Sequence, residues 1–413
     1  MTNRPQPDRP LAGIRVVALE QYMAGPYCSL LLADAGAEVI KIERPGAGDP
    51  RRSMPPFAEK DGKRKAAGFM AYNRNKKSLA LDMSKPEGQQ VVRDLAAKAD
   101  VLVENLRPGS TDKMGLGYEA LKAVNPRLVY ATISGFGRLP GYEGPYGNRP
   151  AFDIVAEAMS GIMNLVGFED KPPTWTLYGM ADIYTGVVTA FGVMQALFMR
   201  ERTGEGQWVD SAMYDNMLSL NEAMVALYSV AGQSNTRGVP KNAYPRGAYQ
   251  ASDGYIALNV PDDRVWKRLA ETVGRPELVE DERTCDGTVR SANRAFIDEI
   301  IEGWLAGQTR EEAVEALNKA GVPTGPVNTA EDVFACPQVQ ARGMLMPVDD
   351  PEVGEYRYAR TPLHMSAAPT LPADPAPALG GDSRSILEDL LGYDAAKIDT
   401  LVAGNVVECA ETK

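Results

Sequence analysis

The sequence predicts an α/β protein with a large parallel-sheet domain and a smaller α+β domain, on three observations. First, "GIRVVALE", "PYCSLLLADAG" and "AEVIKIE" read in succession as strand, helix and strand. Second, the same alternation continues to about residue 140. Third, the pattern changes near Tyr244, where short β-type runs and amphipathic helices take over.

In the opening unit, Pro26 stands at the start of the helix and Gly36 at its end, and both flanking runs are rich in β-branched residues. A strand, helix, strand unit opens a parallel sheet with ligands at the carboxyl ends of its strands. Those ends are "EQYMAGP" and "ERPGAGDPRR". Beyond them, "GQQVVRDLAAKA" and "YEALKAVN" read as helices, and "DVLVEN" and "RLVYATIS" as strands. The first domain is therefore Rossmann-like. Two long helices are expected at roughly 182–202 and 209–231, apolar almost all round and so expected to be buried. "RGAYQASDGYIALNV", with its DG turn, and three amphipathic helices form the smaller domain. "PADPAPALGG" resists regular structure, and "SRSILEDLLGYD" is a closing helix. The expected domains are 1–231 (large), 232–330 (small α+β) and 331–413 (a return segment completing the large domain).

Composition narrows the function. The net charge of −11 argues against nucleic-acid binding. No uninterrupted apolar run approaches the ~20 residues of a membrane span, and the polar, Pro-rich start "MTNRPQPDRPLAG" reads as a loose tail without an export signal. No membrane association and a cytoplasmic location are the expectations. Four scattered cysteines without CxxC spacing argue against disulfides or structural zinc. Against the overall acidity, ten basic residues stand between Arg44 and Lys77 with only three acids among them. This run reads either as a solvated loop or as a site for a phosphate-bearing ligand.

Chemistry must do almost without histidine: His364 is the single one, and neither GxSxG nor HExxH occurs. No metal site is expected. Walker A and GxGxxG are also missing, which disfavours a nicotinamide dehydrogenase and leaves a carrier such as coenzyme A compatible with the basic run. Carboxylates remain. Asp182 in "GMADIYTG" precedes a very apolar helix, where it reads as a helix cap or as a reactive group. A helix amino terminus is expected to keep it ionised, and an ionised carboxylate attacks a thioester without a general base.

The order of "LAGIRVVALEQYMAGPYCSLLLADAGAEVIKIERPGAGDPRR", "NRNKKSLALDMSKPEG", "ADVLVENLRPGSTDKMGLGYEAL", "NPRLVYATISGFG", "GMADIYTG" and "RERTGEGQWVDSAMYD" resembles the family III coenzyme A transferases, and "AGVPTGPVNTAEDV", "QARGML" and "LGGDSRSILEDLLG" extend the resemblance. It implies that Asp182 is the nucleophile, forming an aspartyl anhydride and then an aspartyl-CoA thioester, with no tightly bound cofactor and CoA esters as substrates. Related racemases pair the Asp with a His thirty residues earlier, where this chain has Phe152. That departure counts against racemase or epimerase activity. Asp153 reads as a cap of the following helix or a second polar group in the pocket.

The resemblance further implies that Tyr22 and Met23 border the pantetheine, that Arg44 meets the adenosine phosphates, and that Leu81, Asn105 and Leu106 line the nucleotide. Lys113 stands where oxalate-specific members carry Arg, keeping the charge without the bidentate fork. Backbone N–H groups near Gly135 and Gly137 are candidate oxyanion donors. Arg237, Lys241 and Arg246 read either as solvated surface or as cations for a substrate carboxylate, with succinyl-CoA as a candidate donor. Ring-shaped subunits in an interlocked homodimer are implied, or a heteromer with a related subunit, with acyl-CoA and carboxylic acids as partners.

Overall fold

A computed structural model describes residues 9–234, 237–238, 244–368 and 373–410. Two compact units emerge. One comprises Met1–Val166, Pro173–Asn235 and Gly343–Lys413; the other comprises Gly167–Pro172 and Thr236–Arg342. The second unit thus continues past the expected limit of 330. The amino-terminal tail, Lys241 and part of the Pro/Ala-rich connector lie outside the described residues.

The first unit is built on a seven-stranded sheet. In spatial order its strands are Val407–Glu408, Lys76–Leu81, Glu38–Glu43, Arg15–Leu19, Val101–Glu104, Val129–Ser134 and Trp208–Ala212. All pair in parallel except Val407–Glu408, which is antiparallel to its neighbour. Arg15–Leu19 has Glu38–Glu43 on one side and Val101–Glu104 on the other. Strand order reverses there, and in such sheets the crevice beyond the carboxyl ends at the reversal takes the ligand.

Both faces of the sheet are covered, which is why its strands read as unbroken apolar runs. Helices Pro86–Ala96, Tyr118–Val124 and Ala395–Ala403 cover one face through Val91, Leu95, Leu121 and Ile398. Helices Ala24–Asp34 and Met180–Thr203 cover the other through Cys28, Leu32, Val193 and Leu197. The latter two approach closely at Gly186, where a Cβ would lie 2.9 Å from the Ala24 carbonyl oxygen. Close approach ties the head of the long helix to the loop after the first strand.

Two expectations fail here. "QWVDSAM" is not the start of a helix: Trp208–Ala212 is a strand, followed by helices Met213–Leu220 and Glu222–Ala231 that meet at Asn221. A short apolar run has no period that separates a buried strand from a buried helix. Nor are the apolar helices buried all round. Phe198 is 67% exposed and Val230 88%, because each helix packs on one side only and nothing within the described residues covers the other. Met180–Thr203 has the length and composition of a membrane span, yet one face, with Ala190, Val193, Ala196 and Leu197, is a core face against the sheet layer.

The second unit carries an antiparallel sheet of Thr324–Pro326, Gly254–Asn259 and Arg246–Ala251. Helices Asp263–Thr272, Arg294–Leu305 and Arg310–Lys319 pack on it through Trp266, Leu269, Ile301 and Leu317. Asp262 and Thr309 cap the first and third of these helices.

Candidate active site

The loop between Leu19 and Ala24 is fixed from three directions. Asn105, just past the neighbouring strand, accepts from the Gln21 N–H at 2.9 Å and donates to the Gln21 carbonyl at 2.8 Å. Asp49 accepts from the Tyr22 N–H at 3.2 Å and holds that residue at φ +65°, a conformation that side chains resist. Met23 is buried with its Cε against Gly179, where a Cβ would come within 2.2 Å. Gly179 has φ +84° and ends the approach to the helix that starts at Met180. Only glycine meets both demands without strain.

Asp182 is the third residue of that helix, and it is not the cap. Asp153 takes that role from twenty-nine residues away: its carboxylate accepts from the N–H groups of Gly179 at 3.2 Å, Ala181 at 2.6 Å and Asp182 at 3.3 Å. The expectation that Asp153 caps its own helix is corrected, since Phe152 occupies that N-cap position and no side chain caps it. Asp182 is partly buried, and no described residue donates a hydrogen bond to its carboxyl group.

Its charge state also departs from expectation. Burial, and then the Asp153 charge, push the Asp182 carboxyl up to about 7, while Arg51 draws it back. Burial first, and then an Asp153 charge that already compensates those N–H groups, outweigh the helix terminus.

Arg51 reaches the same space from the loop after Glu38–Glu43. Asp49 accepts its backbone N–H at 2.9 Å, and its Nη1 donates to the Tyr178 hydroxyl at 3.3 Å. Tyr72 lies beneath the guanidinium at 5.7 Å, and the Tyr72 hydroxyl is pushed up, mainly by burial. Asp49 itself is locked by Lys41 at 2.9 Å in a fully buried pair. Sequence reasoning counted Arg51 within the basic run without separating it from its neighbours.

The structure distributes that run. Arg52 pairs with Glu43, Lys65 with Asp350, Arg74 with Asp34, Lys76 with Glu20 and Lys77 with Glu38. Much of the run therefore serves internal pairing, an arrangement that neither expected reading of it included. Arg44 stays exposed at its strand end, and Lys113 is exposed at the end of the short helix Ser110–Lys113.

The remaining expected residues divide similarly. Asn105 and Leu106 lie at the reversal point, and Leu106 donates its N–H to Glu104 at 2.8 Å. Leu81 is enclosed in the core, so its side chain does not line open space. Phe152 is 63% exposed, with its ring edge-on to Tyr22 at 6.0 Å. Gly137 gives its N–H to the Ser134 hydroxyl at 2.9 Å, a commitment that removes it as a free oxyanion donor in this conformation. Gly135 packs against Ala151, where a Cβ would meet it at 2.4 Å.

Two cavities stand apart from Asp182. One, of about 460 Å³, is polar, is lined by Glu104, Arg138, Asp112, Arg149 and Trp208, and includes Gly137. The other, of about 490 Å³, is apolar and lies further along the long helix at Phe191 and Met194.

A doubly covered parallel sheet with an uncommitted carboxyl group beside its reversal point is the build of an α/β enzyme. Residues 11–383 match CoA-transferase family III, and the chain belongs to that family. It is 36% identical over 405 residues to the succinyl-CoA–D-citramalate CoA-transferase of Chloroflexus aurantiacus, covering 97% of this chain and 99% of that one. It is 40% identical to the succinyl-CoA:mesaconate CoA-transferase of Haloarcula hispanica, over 92% of this chain and 96% of the relative. A CaiB/BaiF family protein from Brucella suis superposes with a TM-score of 0.84 at 39% identity, covering 92% of this chain and 99% of that structure.

Proposed function

We propose that this CoA-transferase moves CoA from succinyl-CoA, or a similar acyl thioester, to a second carboxylic acid, with Asp182 as the covalent nucleophile. The observation that carries this reading is the division of labour at the helix head. Asp153 satisfies the N–H groups, and the Asp182 carboxyl is left without a hydrogen bond from any described residue.

An oxygen of ionised Asp182 attacks the thioester carbonyl; the C–O bond forms, the C–S bond breaks, and CoA thiolate leaves. The thiolate then attacks the Asp182 carbonyl of the anhydride, releasing the donor acid and leaving an aspartyl-CoA thioester. The acceptor carboxylate attacks that thioester and expels the thiolate, which finally takes the acceptor acyl group and frees Asp182. Every step exchanges one acyl link, so no proton carrier or redox partner is needed. Phe152 offers no proton-carrying atom, which disfavours two-base racemisation of an acyl-CoA.

The resemblance supports CoA contacts from Tyr22, Met23, Arg44, Asn105, Leu106 and Lys113. The uncovered apolar faces around Phe198 and Val230 support an interlocked dimer or a related heteromer. Incubating Asp182→Asn with succinyl-CoA and a panel of acids, and following CoA esters by mass, tests the mechanism. Transfer should fall by more than about a thousandfold; wild-type turnover in the variant would sink it. Hydroxylamine should trap the activated Asp182 only in the wild type.

A further inference from the structure

Arg51 differs from the other buried cations of its run. Arg74 and Lys76 are each paired with a carboxylate, at 2.6 Å and 2.8 Å. Arg51 is 9% exposed, and among the described residues no carboxylate stands within ion-pair distance of it. Among the described residues its buried Nε has no hydrogen-bond partner, and its one side-chain hydrogen bond goes to the Tyr178 hydroxyl. The guanidinium lies over bare backbone at Gly68, where a Cβ would approach Nη2 to 2.2 Å. That glycine makes the room that the group fills.

A guanidinium remains charged throughout the accessible pH range, a buried charge without a directly paired carboxylate is unfavourable, and Asp182 acts on Arg51 only across space. This arrangement is therefore built for an anion that arrives from outside. The planar fork suits a carboxylate, which it binds in bidentate fashion. Tyr178 immediately precedes the Gly179 turn into the helix of Asp182, so its bond to Arg51 ties the guanidinium to the helix head that carries Asp182. The acids named for the two relatives, citramalate and mesaconate, are dicarboxylic, as is the succinyl donor.

We infer that Arg51 is the receptor for the second carboxylate of a dicarboxylic substrate, holding it while the other end of the molecule faces Asp182. This rests on the reading of Asp182 as nucleophile, and it makes Arg51 a specificity residue for donor and acceptor alike. Asp49, held by Lys41, is the positioning residue that aims it.

The test compares a dicarboxylic pair, succinyl-CoA with glutarate, with a monocarboxylic pair, valeryl-CoA with hexanoate, in wild type, Arg51→Gln and Arg51→Lys. The ratio of kcat/KM between the pairs should fall about a hundredfold in Arg51→Gln and less in Arg51→Lys, which keeps the charge and loses the fork. An unaltered ratio, with activity retained or lost equally on both pairs, overturns the inference. Calorimetric binding of succinate and butyrate to Asp182→Asn supplies a readout without turnover: succinate should bind more tightly, and adding Arg51→Gln or Arg51→Lys should erase or narrow the difference. Should Asp182→Asn still transfer CoA, the nucleophile reading fails, and the binding comparison still decides the role of Arg51.

Discussion

Two buried charged regions lie close together in the first unit and are built on opposite terms. Beneath the ends of the first two strands, Lys41 and Lys76 face Glu20 and Asp49 in a fully enclosed cluster, two ammonium groups against two carboxylates. Burial by itself would lower the Lys41 ammonium, yet Asp49, Glu20 and Glu43 together raise it. Lys76 is brought down to about 8, by burial first and then despite Glu20. At the helix head, by contrast, two carboxyl groups and one guanidinium share a space in which Asp182 is raised to about 7. One region holds the loop in place by balanced pairing. The other leaves charge unpaired, and perturbed groups of that kind mark functional sites.

Breaking the balanced cluster should have the largest effect. Lys41→Met leaves Asp49 buried without its counter-ion and should cost about 3–5 kcal/mol in denaturant unfolding, because the lost partner exposes the full burial penalty of the other charge. A loss below 1 kcal/mol would show that the cluster does not hold the loop.

The opposite sign is expected at the helix head. Asp182 is raised in the folded chain, so its favourable share of stability is complete below about pH 4 and is lost as pH rises through about 7. Asp182→Asn should therefore stabilise the protein at pH 8 by about 2–4 kcal/mol, and the gain should vanish near pH 4. Calorimetry at the two pH values decides this, and equal gains at both would contradict it.

A smaller shift is expected from Asp153→Asn. In the proposed mechanism only ionised Asp182 attacks, so kcat/KM should rise with pH through an acid limb near 7 in the wild type. Removing the Asp153 charge should move that limb about one unit lower, even as the amide loses one of the N–H contacts of the cap. An acid limb left in place would mean that burial alone sets the Asp182 charge state. The smallest effect belongs to the surface: Lys77→Ala, which removes the half-exposed pair with Glu38, should change stability by less than about 1 kcal/mol.

How much of this was legible depended on the reach of each interaction. The strand, helix, strand opening at Arg15–Glu43 is written in local period and punctuation, and the structure carries it within a residue or two. Trp208–Ala212 was misread because five residues of mixed apolar character fit either element, and Val407–Glu408 was missed because two residues carry no pattern. The carboxylate proposed as nucleophile was picked out by its motif, whereas what tunes it is burial and then Asp153, which looked like the cap of a different helix.

By itself, the sequence determined the alternating α/β class and the family, and it pointed to Asp182 as the proposed nucleophile, since these rest on periodicity and ordered motifs along the chain. Tertiary structure decided which of ten similar cations were spent on internal pairs and which one was left facing Asp182. It also decided which carboxylate caps the helix and which is left without a hydrogen bond from any described residue. The physical reason is that ion pairing and burial are set by distances across the fold, and residues such as Arg51 and Asp182 are far apart in the chain until the sheet and its helices bring them to one place.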